Sequence, residues 1–186
     1  MKKKPDELLT LARHALEKAG ANPVMAETAA KHLVRAEEHG LPTHGMSRVP
    51  FYCGFLKNGR AEGAARPTMV ADKAGVCLID NKDGLPYESA AWAIEEVIQR
   101  ARRNGIAFAG ITNSAHVGVL GIHLLPVAAA GMVGVAFTNS PAAIPAWGGK
   151  KALFGTDPVA FAFPRKNGDP LVIDLALTTV LSLIHI

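Results

Sequence analysis

VCLIDNKDGLPYESAAWAIEEVIQRARRNGIAFAGIT, residues 76–112, changes its texture twice. A short β-branched run (76–80) gives way to a helical pattern (87–104), and that to a second apolar run (105–112). Strand, helix, strand with glycine punctuation argues for an α/β sheet covered by helices. The alternation continues downstream. A glycine-rich helix is expected at about 115–130, interrupted by Pro126, then strands at 132–138, 158–164 and 171–176. ITNS (111–114) and FTNS (137–140) close two of these strands alike. The echo suggests two polar rims along one sheet edge, where α/β proteins usually bind ligands.

Upstream of residue 70 the pattern is helical. Leu8, Ala12, Ala15, Leu16 and Ala19 keep helical spacing over 5–20, and Gly20 suits the position just past the end. Asn22-Pro23 restarts a helix, asparagine as cap and proline at the first position. This second helix is expected to run to about Gly40 with Val24, Thr28, Leu33 and Val34 inward. A third follows up to Asn58-Gly59, kinked by Pro50 unless that residue falls in the first turn.

Composition excludes several classes. With 49% hydrophobic and 19% charged residues, 186 residues can bury a real core and are not disordered. The net charge of +4 is diffuse and aromatics are only 6%, which disfavours a nucleic-acid surface. No apolar run reaches the roughly 18–20 residues of a membrane span. Asp6 and Glu7 stand where a signal peptide would need its apolar core. Cys53 and Cys77 form neither a metal spacing nor a disulfide framework. Two free thiols without an export signal suit a reducing cytosol, so a cytoplasmic location is expected.

Three constellations carry possible chemistry. In THGMSRVPFY (43–52), a helix would stack His44, Arg48 and Tyr52 on one face. An arginine fork matches a carboxylate, a histidine passes protons near neutral pH, and a phenol donates a hydrogen bond. Together they would hold a small organic acid and move a proton at an oxygen beside its carboxylate. Spacing alone more commonly means a polar stripe facing water. A metal reading of His39 and His44 lacks further ligands. In NSAHVGVLG (113–121), Asn113 or Ser114 would cap a helix with His116 in its first turn, where the helix dipole disfavours imidazolium. Gly118 and Gly121 allow close approach; a capped helix with a satisfied histidine is the plainer alternative. The Rossmann spacing G-x-G-x-x-G is absent. Finally, Asp174 closes an apolar strand and suits either a ribose or the cap of a following helix.

In order and spacing, THGMSR, NSAHVG, FTNSP, GTDPVAFAFP and DLA (174–176) resemble the malate/L-lactate dehydrogenase family. These are NAD(P)-dependent 2-oxo acid reductases of non-Rossmann fold, with ureidoglycolate, sulfolactate and diketogulonate oxidoreductases and a cyclic-imine reductase among them. The resemblance covers residues 5–180. It implies that His44 and His116 are the active-site histidines, Arg48 the carboxylate anchor, and Thr43 and Tyr52 substrate contacts. It further implies that Gly118, Leu120, Ser140, Pro158, Asp174, Leu175 and Ala176 line NAD or NADP. Thr43 stands where many members carry serine, and Pro126 is a departure in the helix after His116.

The expected activity is hydride transfer between NAD(P)H and a small 2-oxo or 2-hydroxy acid. The alternatives are reduction of a cyclic imine and a ligand-binding fragment without turnover. Members of the family are homodimers; no nucleic-acid, membrane or metal partner is implied. Three segments are expected: helical and substrate-side with dimer contacts (1–70), an incomplete cofactor-binding α/β part (71–180), and a non-native read-through tail, LSLIHI (181–186), that follows a truncation of the gene at Val180.

Overall fold

The structure is a computed structural model that describes residues 3–177. LSLIHI (181–186) and the loss of resemblance at Val180 lie outside the described residues. The chain divides by its contacts into two units, Met1–Ile122 and His123–Ile186. The expected boundary at residue 70, between a substrate side and a cofactor side, is one of function and not of contacts.

In the first unit, α1 (Pro5–Lys18) opens with acidic Asp6 and Glu7 in its first turn, and Glu7 Oε2 accepts from the Lys4 N–H. It ends at Ala19, with Gly20 in the left-handed region. Asn22 caps α2 (Pro23–Glu38): its Oδ1 accepts from the N–H groups of Val24 and Met25, while its Nδ2 donates to the carbonyls of Gly63 and Ala65. Gly63 is required there, because a Cβ would strike the Gly20 carbonyl. The buried stripe of α2 is Met25, Ala26, Ala29, Ala30 and Leu33, whose small residues let neighbouring helices approach closely. Val24 lies off that stripe and is 38% exposed, contrary to expectation, and Thr28 is half-buried.

Residues 43–48 are not α-helical. Two single 3₁₀ turns, Pro42–His44 and Met46–Arg48, flank Gly45, whose ψ of −133° cannot continue a helix. The Glu37 carboxylate accepts from the Met46 N–H and fixes this break. Then α3 (Val49–Lys57) begins, with Pro50 in its first turn, where it does no damage.

An unforeseen strand, β1 (Thr68–Lys73), pairs antiparallel with β2 (Val76–Asp80). Next, α4 (Tyr87–Asn104) crosses to β3 (Phe108–Thr112), which runs parallel to β2. Parallel neighbours need such a crossover. The buried Arg100 of α4 pairs with Asp72 and Glu96 and donates to the Lys73 carbonyl, clamping helix to β1. At the sheet's end, Asp80 accepts from the Lys82 N–H and the Asn113 amide, and pairs with the Lys82 ammonium. These bonds, Lys82 first, hold its carboxyl at about 2.

Within α5 (Leu120–Ala129), residues from His123 on belong to the second unit, and Pro126 sits inside the helix. The helix starts later than expected because Gly118 adopts φ +75°, outside the right-handed region. The second unit then forms β4 (Gly134–Phe137), β5 (Ile144–Pro145), β6 (Ala152–Phe154), β7 (Val159–Phe163) and β8 (Leu171–Leu175). Its main sheet is antiparallel, in the order β4-β7-β8, and β5 pairs with β6. The strands closed by ITNS and FTNS thus belong to separate sheets, and the single shared edge expected from the echo is not formed. Pairing partners are set by long-range ladders that a strand's own sequence does not encode. The mixed α/β class holds; β1, β5 and β6 were unseen.

Candidate active site

The first unit's core, around Leu16, Leu33 and Tyr52, ends in a polar cluster. Tyr52, on α3, is fully buried. Its hydroxyl meets His116 Nδ1 at 2.8 Å and accepts from the Tyr87 hydroxyl at 2.7 Å. Tyr87 opens α4. Two buried phenols must satisfy each other, since an unpaired buried hydroxyl costs about 1–3 kcal/mol. Burial pushes Tyr52 up to about 12, against lowering by the Tyr87 hydrogen bond and Arg48; burial also raises Tyr87 far above a free phenol.

His116 lies in the irregular segment before α5, not in a helical first turn. The ring of His44 stacks beside it, centroids 5.9 Å apart and planes 23° from parallel. Burial, then the charges of His44 and Arg48, bring the His116 imidazole down from 6.5 to about 4. The direction matches the expectation from a helix dipole, but the leading cause is desolvation. His116 is therefore neutral near pH 7.

Arg48 is held from behind. Its Nε donates to the Thr43 carbonyl at 2.7 Å, and its guanidinium lies 5.5 Å from the Phe51 ring centroid. Among the described residues no hydrogen bond engages its two terminal nitrogens, the pair with which an arginine can grip a carboxylate. Thr43 Oγ1 is 3.1 Å from His44 Nδ1 and orients that ring. His44, Arg48, Tyr52 and His116 thus converge, although the α-helical face that predicted it does not exist. Two 3₁₀ turns and α3 bring three of them together, and a loop 64 residues past Tyr52 supplies the fourth.

Gly118 sits beside this cluster in the left-handed region. A Cβ there would lie 3.0 Å from both His32 Nε2 and Tyr87 Oη. Tyr87 and His32, the latter 4.9 Å from the Tyr87 ring, were missed by the sequence reading. His32 is a single polar residue among the buried residues of α2 and Tyr87 stands at the start of α4, with no local motif to mark either. Leu120 opens α5 and is buried.

The remaining residues named for the cofactor lie in the second unit, grouped at one end of its main sheet. Phe137, Val159 and Leu175 face one another across β4, β7 and β8, so Ser140, Pro158 and Ala176 follow at the same end. Ser140 donates its N–H to Asp157 Oδ1 at 2.8 Å and accepts the Thr156 N–H on Oγ, also at 2.8 Å. Gly155 has no room for a Cβ against Ser140 and Asp157. Asp174 is exposed, opposite Ala160 in the ladder. Among the described residues, no three His, Cys, Asp or Glu side chains gather as a metal site, and no helix is long and apolar enough to cross a membrane.

The first unit thus gathers an arginine beside two imidazoles and a buried pair of phenols, within a mixed α/β chain. The family model for malate/L-lactate dehydrogenase matches residues 4–182, and the chain belongs to that family. It is 41% identical over 174 residues to the (2R)-3-sulfolactate dehydrogenase (NADP(+)) of Chromohalobacter salexigens, covering 94% of this chain and 52% of that protein. The malate dehydrogenase of Pyrococcus abyssi is 30% identical over 175 residues, with 94% and 48% covered. Among solved structures, the delta1-piperideine-2-carboxylate reductase of Pseudomonas syringae superposes with a TM-score of 0.94 at 30% identity, covering all of this chain and 56% of that one. The chain spans about half the length of the relatives it matches.

Proposed function

We propose that this chain belongs to an oxidoreductase that transfers hydride between a nicotinamide dinucleotide and a small acid whose C=O or C=N adjoins the carboxylate. The observation that carries the reading is the convergence of Arg48, His44, Tyr52 and His116 in one cluster. The names of the three relatives, a sulfolactate dehydrogenase, a malate dehydrogenase and a cyclic-imine carboxylate reductase, have one chemical feature in common. Each implies a carboxylate beside the carbon that is reduced.

Arg48 would hold that carboxylate through its terminal nitrogens and so fix the neighbouring carbon. His116, whose Nδ1 is engaged by Tyr52, would present Nε2 to the reacting oxygen or nitrogen; as the imidazolium it would give that atom the proton that hydride addition requires and keep its other proton on Nδ1. His44 would polarise the same atom and keep the region electropositive as negative charge develops. Thr43 orients His44, and Tyr52 supports His116 from behind. Bound NAD or NADP supplies or accepts the hydride. In the second unit, the hydroxyl and carboxylate oxygens of Ser140, Asp157 and Asp174 suit the hydroxyls of a ribose, with Pro158, Leu175 and Ala176 at the same end of the sheet; Gly118 and Leu120 of the first unit are proposed as cofactor contacts on the family resemblance. The reaction, a homodimeric state and a cytoplasmic location are proposed for a polypeptide of the relatives' full length.

The test is NAD(P)H absorbance on adding a panel of 2-oxo acids and cyclic-imine carboxylates to a protein of that length carrying these residues. Turnover of an oxo acid supports a dehydrogenase, and preference for an imine selects the reductase. Cofactor binding without turnover of any compound would leave a ligand-binding protein.

A further inference from the structure

We propose that Tyr87 is a positioning residue that, through Tyr52, dictates which nitrogen of His116 carries the proton. Its catalytic meaning rests on the function proposed above; its geometry does not. Tyr87 Oη donates to Tyr52 Oη at 2.7 Å, which turns the Tyr52 proton toward His116 Nδ1, 2.8 Å away. The Gly118 N–H points at the same nitrogen from 3.4 Å, and a backbone N–H can only donate. Two donors on Nδ1 make it the acceptor, so the neutral ring carries its proton on Nε2. That nitrogen is the one left to meet a substrate.

The chain has a second setting. A doubly protonated His116 would have to donate from Nδ1 to Tyr52 Oη, and the Tyr52 proton would have to swing away. The carbonyl of His116, 3.4 Å from Tyr52 Oη, is one acceptor; the Tyr87 oxygen is the other, provided that Tyr87 also reverses. Tyr87 as donor therefore opposes the imidazolium, adding to the burial that already lowers His116. The titratable and charged groups around this chain are His44 and Arg48 from the 3₁₀ turns, Tyr52 from α3, Tyr87 from α4 and His32 from α2. Gly118 makes room for the arrangement, because a side chain there would press on Tyr87 Oη and His32 Nε2 together.

The experiment is two-bond ¹H–¹⁵N imidazole NMR on this chain as a function of pH, for the wild type, Tyr87→Phe and Tyr52→Phe. The wild type is expected to show His116 protonated on Nε2 when neutral. Tyr87→Phe keeps the ring and removes one donor. It should admit the Nδ1–H tautomer and raise the His116 midpoint by about one pH unit, the equivalent of one hydrogen bond. Tyr52→Phe should admit that tautomer at least as fully. An Nδ1–H tautomer in the wild type overturns the proposal even if neither variant folds. So does a Tyr87→Phe protein with unchanged tautomer and midpoint. These signals are read without turnover, so failure of the proposed reaction would be seen separately, as absent NAD(P)H oxidation.

Discussion

The two units of this chain use apolar residues in opposite ways. The first places large side chains inside: Leu16, Leu33, Tyr52, Ile79 and Leu85 are fully buried, packed among alanines. The main sheet of the second has small residues on its covered face. Ala160 and Ala162 are fully buried there, and Gly134 meets Leu124 and Val127 of α5. Its other face holds Val135, Phe137, Leu171, Ile173 and Leu175, all exposed, with Phe161 and Phe163 between them. The first unit thus encloses its large side chains in a core beside the polar cluster, whereas the main sheet of the second carries its large apolar side chains on an exposed face, where Phe161 and Phe163 stack on each other. Stability and proton chemistry should both depend on the first.

Replacing His116 by alanine, in a protein of the relatives' length, should sharpen the contrast most. Removing a general acid–base costs about 10²–10⁴-fold in kcat/KM. A loss under tenfold would move the proton chemistry elsewhere. Leu33→Ala in this chain should cost about 2–5 kcal/mol in urea unfolding, because the cavity is fully enclosed. Ile173→Ala on the open face should change stability by under about 0.5 kcal/mol. Equal effects would break the comparison.

Arg48→Lys keeps the charge but loses the planar fork, and KM for the acid should rise about tenfold with kcat less affected. A kcat effect alone would contradict the anchoring role.

Acid should act on the first unit by a defined route. His116 titrates near 4 when folded and near 6.5 when unfolded, so below pH 6.5 the unfolded chain takes up a proton that the folded one refuses. Stability should fall from about pH 6.5 to about 4, by on the order of 2 kcal/mol, and His116→Asn should flatten that slope. Asp80 is shifted in the same sense, in a lower pH window. Its folded value of about 2 adds stability that is present above the unfolded value of 3.8 and is lost as pH falls toward 2. Asp80→Asn should therefore remove a small loss confined to that lower window, read from the same unfolding curves.

Local chemistry made much of this legible. Asn22-Pro23, Gly20 and the 87–104 pattern write their helix and its ends into adjacent residues, and the structure follows them closely. His44, Arg48 and Tyr52 of THGMSRVPFY come together, though not through the helical spacing that suggested it. Gly45 and Gly118 defeated the boundary readings because a glycine's backbone angles are chosen by its neighbours: the Glu37 side chain beside one, His32 and Tyr87 beside the other. The echo of ITNS and FTNS failed for a related cause, since identical turns say nothing about which strand lies alongside.

By itself, then, the sequence determined the α/β class, the helices and the kinds of side chain available for binding an acid. Only the tertiary structure decided that His116 would meet Tyr52 and His44, that Tyr87 would stand behind them, and that the strands would divide between separate sheets. Helix ends and turns are settled within a few residues by short-range hydrogen bonds. The meeting of Tyr87, Tyr52 and His116 joins positions 35 and 64 residues apart, and burial decides it by forcing isolated polar groups to find one another.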